Sequence, residues 1–514
     1  MSGPDAGHSL AAELEEHADA AGARAAKFDR DWLDLSTLPP LAGADGGLVT
    51  RPALAAAFHA FAASKGMDVP EPLARAFLGV DRARSGDFAL ALVRRWLASA
   101  QEAKDRFALA FAGAVGDDRV VDALLPRVQG WCDERRHKLA EYAALAIAAV
   151  GSDHALLVLD GMRTRYRSKY KNVGAAATAA FELAAANRGL TPDELGDLVV
   201  PDLGFDAEGR REFAWDGGAI AAELGVDWKL HWHAPDGSKS WKSLPKTVPS
   251  EVAGDAKVIS KRLREVWKSQ VERLERALVR RRRWDVARFD ELFLQHPVGR
   301  VFATRLVFGV HGEDGAMRAL ARRYPNGIVA DDEGRIVELR ELGGSVGFVH
   351  PLELDDEQIE RWRAHLARTR TVQPFPQVER RIERLEPAHG NRRELGQLAG
   401  RSPSAGTFRS RVERRGWSRG SVADAGGVLS YWKDFGDCGF EAILEVDDHF
   451  VGQDPMDTVS PGVVRFVRAG TVERGSYVYD DPKGDDPRIL TFSEVPPVVY
   501  SETVCDLVAI AGEA

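Results

Sequence analysis

Cysteines are scarce and long apolar runs are missing in this 514-residue chain, and these absences exclude several classes of protein. Cys132, Cys438 and Cys505 are too few and too widely spaced for a disulfide framework or a paired-cysteine metal site. No stretch approaches the roughly 18 uninterrupted apolar residues of a membrane helix, and the first residues lack the pattern of a secretion signal. We therefore expect a cytoplasmic protein that does not engage a membrane.

The chain also lacks a strong charge of one sign and the common catalytic motifs. A formal net charge of -9 is modest for this length, so no global field favours nucleic acid. There is no phosphate-binding loop, no dinucleotide fingerprint and no H-E-x-x-H string. We therefore expect no resident metal and no cofactor. The sequence motifs that are usual for nucleotide hydrolysis and for zinc proteolysis are missing.

One catalytic pattern does occur, because Gly343–Gly347 reads G-x-S-x-G, the signature of a hydrolase nucleophile elbow. An elbow requires a strand before the serine and a helix after it. Here the following residues, Phe348–Pro351, continue as an extended segment that ends in proline. The pattern therefore predicts a glycine-rich turn.

The first part of the chain predicts stacked helices. Apolar residues recur there at spacings of three and four, as amphipathic helices require. Short glycine-containing strings return every 35 to 38 residues, at Gly116, Gly151 and Gly189, where a helix can end and the next can begin. We predict HEAT-like helical repeats over residues 51–200, preceded by a partly linker-like segment over residues 1–50. An irregular helical domain is the alternative.

After residue 200 the sequence mixes strand and helix patterns and predicts an α+β fold. We assign residues 201–400 to an α+β domain and residues 401–514 to a strand-rich C-terminal region. Helices are predicted over residues 252–283 and 356–368. Strands are predicted for the following segments: Val226–His233, Thr304–Val310, Arg335–Leu339, Val346–His350, Val463–Val467, Ser476–Tyr479 and Pro497–Tyr500.

A basic run, Arg280–Arg283, ends the first of these helices. Cations favour a helix C-terminus, and arginine presents a planar fork that suits phosphate oxygens. Arg281 and Arg283 are therefore candidate binding residues, and nucleic-acid binding is one hypothesis. The alternative is a solvated helix face whose arginines pair with Glu272, Glu275 and other carboxylates.

Several ordered strings resemble those of the MolR-like bacterial family, whose domain is called DUF-4132 and whose members carry the name molybdate metabolism regulator. The resemblance implies a helical scaffold joined to a domain without an established mechanism. Relatives sometimes add a Trp-Gly-Arg module associated with DNA ends, and this chain contains no such string. The strings are Leu190–Leu195, Arg282–Trp284, Leu306–Val310, Val349–Leu354, Gln373–Gln377, Arg415–Gly420 and Tyr500–Glu502.

The family strings gather around four candidate site residues, His350, Gln373, Trp417 and Arg419. We expect them to line one site if the protein is an enzyme of unrecognised type. Asp355 could orient His350 as a general base, and Cys438 or Cys505 could be a nucleophile.

Other polar residues have ordinary explanations as well as chemical ones. His231 and His233 could offer two metal ligands, but two are too few, and they read better as core or surface histidines. The carboxylates of Asp480–Asp486 suit a hairpin turn better than a calcium loop. The leading hypothesis is therefore a non-catalytic interaction or regulatory protein, with a protein partner favoured over nucleic acid.

Overall fold

The computed structural model describes residues 8–25, 28–166 and 170–512, and the chain divides into two compact units, Met1–Pro201 and Asp202–Ala514. Helices build the first unit, whereas three sheets and further helices build the second. The expectation of an α+β chain with helices first and strands later is confirmed. The finer boundaries at residues 50 and 400 stay predictions. Among the described residues, no helix has the length and apolar character needed to cross a bilayer.

The first unit packs its helices through small and aromatic side chains. Gly113 lies so close to a neighbouring helix that an added Cβ would meet the Ala146 carbonyl oxygen at 2.5 Å. Phe58, Phe107 and Phe111 form edge-to-face and tilted ring contacts in its interior. The helices are α1 (Leu10–Ala25), α2 (Arg51–Ala63), α3 (Arg82–Ala98), α4 (Phe107–Val115), α5 (Asp118–Asp133), α6 (His137–Val150), α7 (Asp153–Arg165), α8 (Lys171–Ala186) and α9 (Pro192–Leu198).

The recurring strings end and restart helices, as predicted. Gly151 adopts a left-handed φ of 66° after α6, and the Ser152 hydroxyl then accepts from the Ala155 N–H at 3.0 Å to begin α7. Thr191 forms a capping box with Glu194 before α9. Gly116 differs, because its φ is -86°. It is needed for space instead, since a Cβ there would meet the Ala112 carbonyl oxygen at 2.4 Å.

The start of the chain contributes to the core of the first unit. Helix α1 buries Leu10 and Leu14 completely, and Leu41 is also buried further along. The turn around Gly43–Gly47 closes through a backbone hydrogen bond of 3.0 Å between these two glycines. Residues 1–7, which the linker-like prediction includes, lie outside the described residues.

The second unit opens with an antiparallel meander, in the order β1 (Arg210–Trp215), β2 (Gly218–Leu224), β3 (Leu230–His233) and β4 (Ser240–Trp241), followed by the long helix α10 (Ser250–Val279). The predicted strand Val226–His233 is too long by four residues. Trp228 has a φ of 63° in a turn, and its indole packs on Trp267 and donates to the Leu263 carbonyl at 3.0 Å. This tertiary contact overrides the alternating pattern.

A five-stranded sheet follows, in the order β5-β9-β6-β7-β8. One predicted strand is shorter than expected and another does not form. Thr304 and Arg305 still belong to a helix, and residues Arg335–Leu339 form no strand, since Ile336 makes only an isolated bridge to Ala330. The elements are β5 (Trp284–Asp285), α11 (Val286–Phe289), α12 (Gly299–Arg305), β6 (Phe308–His311), β7 (Met317–Arg323), β8 (Val329–Ala330), α13 (Leu339–Leu342), β9 (Ser345–Phe348) and α14 (Asp356–Arg368).

The G-x-S-x-G pattern is a turn, as predicted. Gly343 and Gly344 have φ values of 70° and 69°, and Ser345 begins β9 without a following helix. A Cβ on Gly344 would meet the His311 carbonyl oxygen at 2.1 Å, so the glycine permits the close approach of two strands.

The last part combines a four-stranded antiparallel sheet with two helices. The elements are α15 (Ala405–Arg414), β10 (Ser418–Arg419), β11 (Ser430–Asp434), β12 (Phe440–Asp447), β13 (Ser460–Arg468) and α16 (Pro497–Ala511). One apolar cluster joins the sheet to both helices through Phe408, Tyr431, Phe466 and Leu507.

Two strands predicted near the C-terminus are wrong. Pro497–Tyr500 is the first turn of α16, where proline is favoured because it has no N–H to lose. Ser476–Tyr479 forms no strand, since Tyr477 has a φ of 64°. Val463–Val467 does lie in a strand, within β13.

Candidate functional site

Helix α16 carries a buried polar face. Ser501, Glu502, Thr503 and Asp506 are each less than 5% exposed, although helix side chains of this kind usually face water. Glu502 and Asp506 are four residues apart, which places both carboxylates on the same side of the helix. Their partners come from distant parts of the second unit, so α16 organises a buried ionic cluster.

Glu502 is the best-connected carboxylate of this cluster. Arg380 donates two parallel hydrogen bonds to it, from Nε to Oε1 at 2.7 Å and from Nη2 to Oε2 at 2.6 Å. The same guanidinium donates to Glu275 on α10 at 2.7 Å. Burial alone would raise the pKa of Glu502, but the hydrogen bonds from Arg380 and His350 lower it well below its ordinary value. Glu502 is therefore ionised and fully paired.

His350 is fully buried and contacts this carboxylate with one ring nitrogen. Its Nε2 lies 3.2 Å from Glu502 Oε1, while its Nδ1 accepts from the Leu352 backbone N–H at 3.2 Å. Nδ1 therefore carries no proton, and Nε2 is the donor. With both nitrogens occupied and no exposed surface, His350 has no free base to offer a substrate.

Asp355, considered as a carboxylate that could orient His350, has another role. Asp355 caps helix α14 by accepting from the Gln358 N–H at 2.7 Å, and Glu502 takes the place assigned to it. The local sequence shows the cap, because an aspartate followed three residues later by a glutamine is a capping-box signature. The partner 152 residues away in sequence has no such local signal.

Asp506 occupies the next turn of α16 and holds Trp417 and Lys433. Its Oδ2 accepts from Lys433 Nζ at 2.6 Å and from the indole N–H of Trp417 at 2.9 Å. Burial raises the pKa of Asp506, and the Lys433 ammonium opposes that shift. Trp417 is completely buried, so its indole is a structural anchor and has no surface on which a base could stack.

Gln373 belongs to a different place. Its amide donates to Gln377 Oε1 at 2.8 Å and accepts from the Val378 N–H at 3.1 Å. Gln377 is fully buried and joins the residue before β6 to the residue after β9, by donating to the Val307 and Val349 carbonyls at 2.6 and 3.0 Å. Sequence reasoning selected Gln373 and missed Gln377, because a glutamine used to join two strand ends has no sequence signature.

Arg419 is paired with Tyr431 across β10 and β11, and the Tyr431 hydroxyl contacts His449 Nε2 at 3.0 Å. Within the described residues, neither Gln373 nor Arg419 contacts Glu502 or Asp506. The structure thus brings His350 and Trp417 to successive turns of α16 and leaves the other two candidates apart. A site shared by all four residues stays a prediction.

The arginines of the basic run make local contacts. Arg281 donates to Glu353 at 2.9 Å, Arg283 lies 3.7 Å from the same carboxylate, and the Arg282 guanidinium covers the Trp284 ring at 5.0 Å. Glu353 also accepts from the His350 backbone N–H. These arginines therefore brace the loop that follows β9, although Arg281 keeps about half of its side chain exposed.

The two candidate nucleophiles are also engaged. Burial raises the pKa of the Cys505 thiol to about 11, and its Sγ lies 3.4 Å from the Arg381 carbonyl oxygen. A thiol with such a pKa has little reactive thiolate at neutral pH. Cys438 Sγ lies 3.6 Å from the Arg280 carbonyl oxygen.

Metal ligation has no support in the described part of the chain. No group of three or more His, Cys, Asp or Glu side chains there is arranged to hold an ion. His231 Nε2 pairs with Asp227 at 2.9 Å, and His233 lies 3.7 Å from Glu223, so each histidine has its own carboxylate.

The second unit is thus an α+β module in which the buried carboxylates Glu502 and Asp506 are paired with Arg380 and Lys433. Residues 238–417 match the family described as a domain of unknown function (DUF4132). The match includes His350, Gln373 and Trp417 and ends before α16.

One curated relative is the uncharacterized protein YehI of Escherichia coli (strain K12), which is 27% identical over 343 residues. This alignment covers 65% of the chain and 28% of YehI, so the chain spans well under two thirds of that relative. No solved structure matches the chain.

Proposed function

We propose that this chain is a non-catalytic interaction or regulatory protein, in which the helical unit offers a binding surface and the α+β unit binds a protein partner. The observation that carries the proposal is the state of His350. It is the best-placed candidate base, yet both of its ring nitrogens are occupied inside the core. Cys505 and Trp417 are equally committed to structural contacts.

The test is a turnover assay with the intact chain on a broad panel of ester, amide, phosphoester and glycoside substrates. We expect no turnover above the buffer rate. A reaction that disappears in His350→Gln, while circular dichroism shows an intact fold, would replace this proposal with an enzyme. The control variant is Ser238→Ala, which removes a hydroxyl group from the first meander. Gln377→Glu would not serve as a control, because Gln377 joins the ends of two strands.

An enzyme remains the second candidate for one reason. Buried carboxylates with shifted pKa values, such as Glu502 and Asp506, occur often at catalytic sites. Structural ion pairs shift pKa values in the same way, and here every shifted carboxylate of α16 has a cationic partner. Pairing therefore favours the structural role.

Several finer expectations belong to the same proposal. We propose that the helices of the first unit are HEAT-like repeats, supported by the recurring caps at Asp117, Ser152 and Thr191. We further propose membership of the MolR-like group, a cytoplasmic location and a role as scaffold or regulator. Nucleic acid is the less favoured partner, since Arg281 and Arg283 already share Glu353.

A further inference from the structure

Four large, partly exposed side chains lie around one loop of the second unit. The loop comprises residues 422–428, and Phe450, Val451, Tyr477 and Tyr479 are 46%, 50%, 69% and 63% exposed around it. Scattered single apolar residues are normal on a surface, but a group rich in aromatic side chains marks interaction sites. We call these four residues the aromatic surface.

Backbone contacts hold the aromatic surface together. Phe450 pairs with Gly427, the Val451 N–H donates to the Gly426 carbonyl at 2.8 Å, and the Tyr477 N–H donates to the Val422 carbonyl at 2.7 Å. The Tyr479 hydroxyl accepts from the Asp424 N–H at 3.4 Å. The backbones of two different segments are thus tied to one loop, and the Tyr479 side chain also contacts it.

The same segments contain unusual backbone conformations. Ala425, Asp448 and Tyr477 have φ values of 57°, 58° and 64°, in the left-handed region that residues with a Cβ rarely adopt. Such conformations are costly and tend to gather where a surface has to keep a given shape for a ligand. The backbone that carries the aromatic surface therefore contains one such turn in the loop and one in each of the two flanking segments.

The three segments that carry the aromatic surface, 422–428, 447–457 and 473–486, are rich in carboxylates. The arginine and lysine of these segments form ion pairs with carboxylates of β12: Arg474 pairs with Glu441, and Lys483 pairs with Glu445. Only Asp480 and Asp486 have an ion-pair partner, Arg488, among the described residues. The segments contain Asp424, Asp447, Asp448, Asp454, Asp457, Glu473, Asp480, Asp481, Asp485 and Asp486.

We propose that the aromatic surface is the docking site for an arginine- or lysine-rich segment of a partner protein. The faces of tyrosine and phenylalanine attract cations, and the surrounding carboxylates add a long-range field of the right sign. The same field repels the phosphates of nucleic acids and anionic lipids. The proposal rests on the proposed interaction role and names the chemistry of the partner.

The experiment uses the full chain and three fluorescein-labelled probes. Two are synthetic peptides, one of alternating Arg and Gly and one of alternating Glu and Gly, and the third is a single-stranded DNA oligonucleotide. Fluorescence anisotropy should show binding of the Arg peptide alone, weakened by added salt. Tyr477→Ala combined with Tyr479→Ala should lower its affinity about tenfold, since two cation–π contacts are lost.

The matched control is Ile336→Ala combined with Val372→Ala, which removes exposed side chains elsewhere in the second unit. Its affinity should stay within about twofold of that of the native chain, a smaller change than the loss of one cation–π contact would cause. No binding of the Arg peptide at low salt, or equal losses in both double variants, would overturn the proposal. So would light scattering that shows a tyrosine-dependent dimer, since the surface would then bind a second copy.

These outcomes are separate from the test of the proposed function. Loss of the docking site leaves the absence of turnover unchanged. Turnover that requires His350 removes the non-catalytic role without any effect on peptide binding.

Discussion

Both units bury carboxylates, but they arrange them differently, and the difference bears on where each unit draws its stability. The first unit closes its helices on small and aromatic residues, as at Gly113 and Phe111. It buries its carboxylates as separate pairs, such as Asp105 with Arg30 and Asp160 with Arg163, whereas the second unit places Glu502 and Asp506 together on one helix. Apolar packing depends on shape, whereas a buried charge depends on its partner, so substitutions at the two kinds of position should destabilise by different mechanisms.

Arg380→Ala should have the largest effect. The substitution leaves Glu502 without its cationic partner, so Glu502 either stays charged in the core or takes up a proton there. Removal of one partner of a buried ion pair lowers the free energy of unfolding by about 3–5 kcal/mol. Hydrogen exchange of the amides of α16 should accelerate accordingly. The control is Arg318→Ala, whose pair with Asp314 is exposed and should contribute less than about 1 kcal/mol. Equal effects of the two variants would mean that the buried cluster does not stabilise α16.

The pH dependence of the second unit should report the same carboxylate. The folded pKa of Glu502 is lowered from its ordinary value of 4.5, so its contribution to stability is present above that pH. The contribution is lost as the pH falls from 4.5 towards the folded pKa. Urea unfolding between pH 6 and pH 3 should show a steeper loss in the native chain than in Glu502→Gln. Parallel profiles would show that another group controls acid unfolding.

In the first unit, Gly113→Ala should destabilise through overpacking. The new Cβ would meet the Ala146 carbonyl oxygen at 2.5 Å, and overpacking of this kind costs about 1–3 kcal/mol. Gly161→Ala is the matched control in α7, because nothing lies within 4 Å of its Cβ position. It should stabilise the helix by about 0.5–1 kcal/mol. Thermal unfolding followed by circular dichroism should move in opposite directions for the two variants.

The smallest effect is expected at the helix caps. Ser152→Ala removes the acceptor for the Ala155 N–H and should cost about 1 kcal/mol. Ser152→Asn keeps an acceptor and should retain most of the stability. Hydrogen exchange in the first turn of α7 is the measurement, and identical exchange in both variants would show that the cap is dispensable.

Local patterns were read correctly where the physics is local. The capping box at Thr191 and the left-handed turns at Gly151 and Gly189 involve neighbours in sequence, so residue type and spacing predict them. The buried stripe of α10 at Ile259, Leu263 and Val266 was predicted for the same reason. The strand predicted at Pro497–Tyr500 failed because Val498 and Val499 suit a buried helix as well as a strand.

The candidate site shows more clearly which contacts a sequence pattern does not predict. His350 and Trp417 were selected from sequence, but their partners Glu502 and Asp506 were not, although Glu502 ends one of the quoted strings. Gln377 stood in the same string as Gln373 and was passed over. Contacts of this kind join residues from about 30 to 150 positions apart, and no periodicity connects them.

By itself, the sequence determined the helical first part, the mixed second part, the places where helices end and the absence of recognised catalytic motifs. Each of these depends on neighbouring residues or on composition. Only the tertiary structure decided that His350 is closed off by Glu502, that Arg380 is paired with a buried carboxylate and that Tyr477 and Tyr479 lie beside the loop of residues 422–428. Burial and charge pairing are properties of the folded chain, because they arise when distant segments exclude water together.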